Sequence, residues 1–153
     1  MGYTHYLYRA PELEPAHFTA FAEEAKVLLK TLDGVLRRDH GTGLAGWDGN
    51  GSPEANSERV AFNGAAPADY ETCRVDRVID TDGHVSRDEA GRIFSFCKTA
   101  HKPYDAAVTA IYALAIDHFG DAVAVDSDGG EEAIEAGRAL ASRLLGRTLR
   151  GAA

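Results

Sequence analysis

Between Phe96 and Asp105 the chain reads Phe-Cys-Lys-Thr-Ala-His-Lys-Pro-Tyr-Asp, which sets Lys98, His101, Lys102 and the hydroxyl of Thr99 directly before a proline-led helix. The first amides of a helix have no intrahelical partner and together carry about half a positive charge, so a phosphate or a carboxylate binds well there. Two lysines and a hydroxyl beside such amides predict a pocket for a small anionic ligand, phosphorylated or nucleotide-like. Tyr104 or Trp47 would cover its apolar or base-like part. Asp105 falls in the first turn, a favourable place for an acid in any helix, and lysines flanking an ordinary loop are the plainer account of the same residues.

Acid–base catalysis is the second chemistry that these residue types allow. His5 or His101 would act as general acid or base, with Asp128 or Asp105 as its orienting partner. The run Asp126-Ser127-Asp128-Gly129 follows a buried strand, where sheet enzymes carry catalytic acids, although turn chemistry explains it equally well. Glu131 and Glu132 crowd the next helix start and disfavour an anion there. His5, His101, His118 and Asp126 are types that suit zinc or manganese, but no two of these histidines share ligand spacing on one element, so no metal or other cofactor is expected. From Asp80 to Glu89 the acids follow the spacing of a calcium-binding loop, yet Val78 stands at the first ligand position, and an ordinary polar turn is expected. Cys97 adjoins Lys98, which favours a thiolate, but a cysteine in an apolar strand is ordinarily a core residue.

Three stretches together, Gly2-Tyr3-Thr4-His5-Tyr6, Phe96-Cys97-Lys98-Thr99-Ala100 with Lys102-Pro103-Tyr104-Asp105, and Ser127-Asp128-Gly129, resemble a family of small proteins of bacteria and their phages. The resemblance spans most of the chain and implies no established activity. It marks Tyr3, His5, Trp47, Asp48, Asn63, Lys98, Thr99, Lys102, Tyr104, Asp105 and Asp128 as positions to test, and Asp80 to Gly91 reads as an insertion peculiar to this member.

The elements that must position these groups follow from periodicity. Tyr3 to Arg9 is a strand with Tyr3, His5 and Leu7 on one face and Thr4, Tyr6 and Tyr8 on the other. Pro15 opens a helix with a Phe18, Phe21, Ala22, Ala25, Leu28, Leu29, Leu32 stripe, which Gly34 is expected to stop. Arg59 to Asn63 and Glu71 to Ile79 read as strands. The turn Thr81-Asp82-Gly83-His84 predicts an antiparallel ribbon of Cys73–Ile79 with Ile93–Cys97, and Val85 to Gly91 a short helical turn between them. A second helix starts at Pro103 and ends at Gly120, with so little charge that it must be packed on more than one side. Ala122 to Val125 is a buried strand, Asp126 to Gly130 a tight turn, and Glu131 to Leu145 a last amphipathic helix. The order predicts an α+β fold: a single-layer, mostly antiparallel or mixed sheet with about three helices packed on it, in one domain over residues 1–153. No glycine-rich phosphate fingerprint follows the first strand, which disfavours a parallel nucleotide-binding fold.

Composition bounds the function classes. At 153 residues, 44% hydrophobic and 26% charged, the chain is long enough to bury a core without staples. A formal charge of -8 repels a phosphate backbone, so duplex nucleic acid is not an expected partner and any anion site must be local. Acidic loops docking onto a basic partner form a third function class, an interaction or inhibitory protein. No apolar run spans a membrane, the first nine residues lack a secretory start, and the two cysteines make no disulfide framework, which predicts a cytoplasmic location. Arg138, Arg143, Arg147 and Arg150 are expected as solvated residues complementing the end of the last helix.

Overall fold

Three apolar periodicities become three helices in the computed structural model, which describes residues 3–82 and 85–152. Helix α1 (Pro15–His40) is started by Glu14, whose carboxylate accepts from the amides of Ala16 and His17 at 3.0 and 2.8 Å. It runs past Gly34, where a stop is expected, because Leu36 extends the buried stripe one turn beyond Leu32. Burying a leucine contributes about 1.5–3 kcal/mol, more than the roughly 0.5–1 kcal/mol that one interior glycine costs. Gly41, at φ +73°, is the residue that ends the helix. Helix α2 (Asp105–Phe119) is buried from Ala107 to Asp117, as its lack of charge requires, and packs against both α1 and α3 (Gly130–Leu145).

Among the described residues the strands pair antiparallel throughout and three α-helices form, so the protein is α+β. Strand β1 (Thr4–Arg9) is central in one sheet, where later strands of the chain flank it on both edges. A second sheet centres on Arg59–Gly64, with Leu44–Ala45 and Glu54–Ala55 on one edge and Cys73–Asp76 on the other. In chain order the remaining strands are therefore β2 (Leu44–Ala45), β3 (Glu54–Ala55), β4 (Arg59–Gly64), β5 (Cys73–Asp76), β6 (Ile93–Lys98) and β7 (Val123–Ser127). The expected ribbon of Cys73–Ile79 with Ile93–Cys97 does not form. β5 pairs with β4, and β6 pairs with β1, placing Cys97 opposite His5 and Ser95 opposite Leu7. β1 is apolar or aromatic on both faces and takes a partner on each edge, so β6 is drawn to it. Gly83 and His84, at the tip of the expected turn, lie outside the described residues. The segment after them is no helical turn; the Asp88 carboxylate there gathers the amides of Ala90 and Arg92 at 3.0 and 2.8 Å.

Bonds through Glu71 and through Arg9 help to join the sheets. The Glu71 amide donates to the Lys98 carbonyl at 3.2 Å, and the Lys98 amide returns a bond to the Glu71 carboxylate at 2.8 Å. Arg9, fully buried, donates through its guanidinium to the carbonyls of Ala10, Asp76 and Arg77. Burial lowers its pKa to about 10, against the opposing charge of Asp76.

On the far edge of β7 the backbone groups of Val123, Val125 and Ser127 point away from β1, since Ala122 and Asp128 bond back to Ala10 and Thr4. Arg92 Nη1 covers the Val123 carbonyl at 3.5 Å, the Val123 amide bonds Gly120, and the Ser127 amide bonds the Asp126 carboxylate at 2.8 Å. Among the described residues no helix is long and apolar enough to cross a membrane.

Of the C-terminal arginines Arg143 is exposed as expected, whereas Arg138, Arg147 and Arg150 are tied into the fold. Arg147 forks between Glu24 on α1 and Asp117 on α2, both at 2.6 Å, and the Arg150 amide donates to Asp117 at 2.7 Å. The tail is thereby clamped onto two helices. The bond from Arg147 holds the Glu24 carboxyl below its ordinary range, and at Asp117 the same arginine and the Arg150 amide outweigh the opposing effect of burial. Both groups therefore take up protons more readily unfolded than folded. Their contribution to stability is complete above the ordinary carboxyl range near pH ~4 and is lost as pH falls through the lowered folded values. Thermal melts below pH ~4 should show a steep loss that Glu24→Gln with Asp117→Asn makes shallower, at the cost of a lower melting point at neutral pH.

Candidate functional site

Four segments deliver one buried chain of hydrogen bonds. Alternation along β1 turns His5 and Leu7 inward, and the antiparallel register with β7 sets Ser127 opposite His5. α2 begins at Asp105 on the same side, and Thr99 leaves the end of β6 beside it. His5 Nδ1 lies 2.8 Å from Ser127 Oγ, and His5 Nε2 lies 2.6 Å from Asp105 Oδ1. The Thr99 hydroxyl donates to that same carboxylate oxygen. Ser127 Oγ also accepts the Gly129 amide at 3.0 Å, so its own proton is free to point at Nδ1. With Nε2–H given to Asp105, a neutral imidazole satisfies every partner in the chain.

His5 is completely buried, while the Asp105 side chain is 26% exposed and forms the end of the chain nearest solvent. Burial alone would raise the Asp105 pKa, but the bonds from His5 and Thr99 outweigh it and hold the carboxyl below its ordinary value. Tyr3 covers the chain from outside, edge-on to His5 at 5.1 Å and stacked on His101 at 3.8 Å. Ala100 and His101 both adopt left-handed backbone, at φ +51° and +58°, which costs non-glycine residues about 1–2 kcal/mol each. The turn is held by bonds from the Lys102 amide to Thr99 and from the Asp105 amide to Lys102, at 3.0 and 2.9 Å.

Of the residues expected to share one anion, Thr99 and Lys98 are separated by the sheet. Thr99 faces Asp105, whereas Lys98 projects from the opposite face, its ammonium 5.6 Å from the centre of the Phe96 ring. The Asp105 carboxylate also occupies the helix start at which the anion was expected. Lys102 is half-buried in the turn and His101 sits at the rim on Tyr3. Tyr104 is a core strut rather than a ligand cover: it is buried, and its hydroxyl donates to the carbonyls of Glu71 at 2.6 Å and Lys98 at 3.1 Å. Trp47 donates to Glu54 at 3.0 Å and lies under Arg74 at 4.9 Å, so its contacts belong to the second sheet. Asp128 does not orient a histidine; it accepts the Thr4 amide and the Tyr6 hydroxyl, and Asp105 takes the orienting place. Asn63 and Asp48 meet at Thr72, to which the Asn63 amide group donates at 3.1 Å and the Asp48 backbone amide at 3.0 Å.

The histidines and Asp126 do not gather around a metal. His5 is inward and Asp126 lies on the outer sheet face. His118 is bonded to Glu24 at 2.7 Å. Glu24, Asp117 and His118 do come within 4.8 Å of one another, but Arg147 already supplies the positive charge between the two carboxylates. Cys97 is buried, and contact with Cys73 together with burial pushes its thiol pKa upward, the opposite of an activated nucleophile.

His5, Thr99 and Asp105 stand out in the sequence, whereas Ser127 reads there only as part of a turn. The signal was there: Val123, Val125 and Ser127 share an alternation, so a strand continued through residue 127 turns the serine to the side of His5. The expected turn at Asp126–Gly130 hid it, because β7 runs on to Ser127 and α3 starts at Gly130. No family model, curated protein or solved structure matches the chain.

Proposed function

We propose that the protein is a small enzyme that cleaves an activated acyl bond, with Ser127 as nucleophile, His5 as general base and then acid, and Asp105 as the orienting carboxylate. The observation that carries this reading is the Ser127–His5–Asp105 chain, with both heavy-atom separations at hydrogen-bond length and roles that match a serine–histidine–acid arrangement. Ser127 Oγ would attack the acyl carbon while its proton passes to His5 Nδ1. The new bond is Oγ–C, and the bond to the leaving group breaks as His5 returns the proton to it. Water, deprotonated by the same nitrogen, then releases the acid and restores the serine. Asp105 keeps Nε2 protonated and the ring fixed, and Thr99 keeps the carboxylate in place. Tyr3 and His101 restrict entry, so the substrate is small.

The resemblance carried by the Tyr3–Tyr6, Phe96–Asp105 and Ser127–Gly129 segments further suggests a bacterial or phage setting, and two buried cysteines without a disulfide support a cytoplasmic location. The reaction is tested with a small fluorophosphonate and intact-mass spectrometry. One adduct on Ser127 is expected, absent in Ser127→Ala and slowed at least ~100-fold in His5→Gln. Equal labelling of the wild type and His5→Gln, or none at all, rejects the reading.

A further inference from the structure

The outer face of the first sheet is a three-by-three array read directly from the register. β6 contributes Phe94, Phe96 and Lys98, β1 contributes Tyr8, Tyr6 and Thr4 opposite them, and β7 with its following residue contributes Ala124, Asp126 and Asp128. The rings form one row: Phe94 lies 6.0 Å from Tyr6, 5.5 Å from Tyr8 and 5.6 Å from Phe96, centre to centre. All three helices pack on the other side or on the second sheet. Phe96 is 46% exposed, one of the few large apolar side chains left so open. A row of aromatic rings on a sheet surface offers π-faces for stacking, and the carboxylates along the β7 edge set the charge of what stacks there.

We propose that this face docks a protein segment carrying arginine. A guanidinium is planar and weakly hydrated, so it lies flat on a ring while its outer N–H groups fork to a carboxylate. Asp126 stands opposite Tyr6 and next in line to Phe96, exposed and without a cationic side chain bonded to it among the described residues. The net charge of -8 draws such a segment in and repels the single-stranded nucleic acid that would otherwise use the same rings. Lys98 at the opposite corner, over Phe96, sets an orientation: the arginine lies toward β7 and any acidic residue of the segment toward β6.

Amide chemical-shift mapping of the isotope-labelled protein tests this with three probes: a short peptide alternating arginine and serine, its lysine counterpart, and an oligothymidylate of similar length. The arginine peptide should perturb β1, β6 and β7 at saturation. Phe96→Ala and Asp126→Asn should each weaken it by about tenfold while the protein stays folded with only a small drop in melting point, since both side chains are largely open to solvent. Any of four results overturns the proposal: equal affinity for the lysine peptide with shifts spread over the acidic loops, tighter binding of the oligothymidylate, self-association through this face in place of peptide binding, or no binding of any probe.

Discussion

Replacing Asp105 by alanine should lower the unfolding free energy by about 3 kcal/mol, because it strips the fully buried His5 Nε2 and the Thr99 hydroxyl of their shared acceptor. Denaturant titration measures the loss directly. Asp105→Asn separates stability from chemistry. The carboxamide oxygen still accepts from His5 and Thr99 in the same shape, so stability should fall by only about 1 kcal/mol. The negative charge that steadies an imidazolium is gone, and a favoured opposite tautomer would leave Ser127 without a base. Fluorophosphonate labelling should therefore drop by roughly 10³–10⁴-fold, the scale on which carboxylate-to-carboxamide replacement acts in a serine–histidine–acid arrangement. A variant that loses stability as described for alanine but labels at the wild-type rate as asparagine would make the chain a structural staple between β1, β7 and α2, and nothing more.

The second large effect is expected at Gly137, where α3 crosses α2. A Cβ built there would sit 2.5 Å from both the carbonyl carbon and oxygen of Thr109 and 2.7 Å from its Cβ. These are main-chain and first side-chain atoms of the neighbouring helix and cannot rotate aside, so Gly137→Ala must push the helices apart. Overpacking of this kind costs about 1–3 kcal/mol, and parting the helices also loosens the rest of the packing between α2 and α3, so a loss of about 2 kcal/mol remains after the better helix propensity of alanine is counted. The melting point should fall by about 4–8 °C. Gly34→Ala is the control of opposite sign. Nothing lies within 4 Å of a Cβ at that exposed helical position, and the variant should gain about 0.5–1 kcal/mol. Equal effects at the two glycines would mean that propensity, not the helix crossing, governs both.

The two glycines also show how far the sequence could be read. Glycine in an apolar periodic stretch is ambiguous: Gly34 reads as a stop and is only an interior residue, while Gly137 reads as nothing and is a point of close approach. What separates them is the neighbouring helix, which no local pattern encodes. The three helices, the first strand and the α+β class were legible because each rests on a period of one element. Strand partners were not, since a turn between Cys73 and Ile93 suggested a ribbon, whereas pairing was decided by β1 and β4, each of which needs company on both edges. The site was half legible for the same reason. His5, Thr99 and Asp105 stand in recognisable stretches, but only the antiparallel register shows that Lys98 and Thr99, neighbours in the chain, face opposite sides of a sheet, and that Ser127 lies across from His5.

The blunted rim of β7 has a consequence for how copies of this protein meet. With Val123 covered through Arg92 and Ser127 through Asp126, a foreign strand laid along that rim would find only the backbone pair of Val125 to bond, too little to template cross-β growth. That rim therefore gives concentrated solutions no ladder on which to polymerise, and the exposed rings of the adjoining face stay open to a partner beside an edge that does not recruit strands.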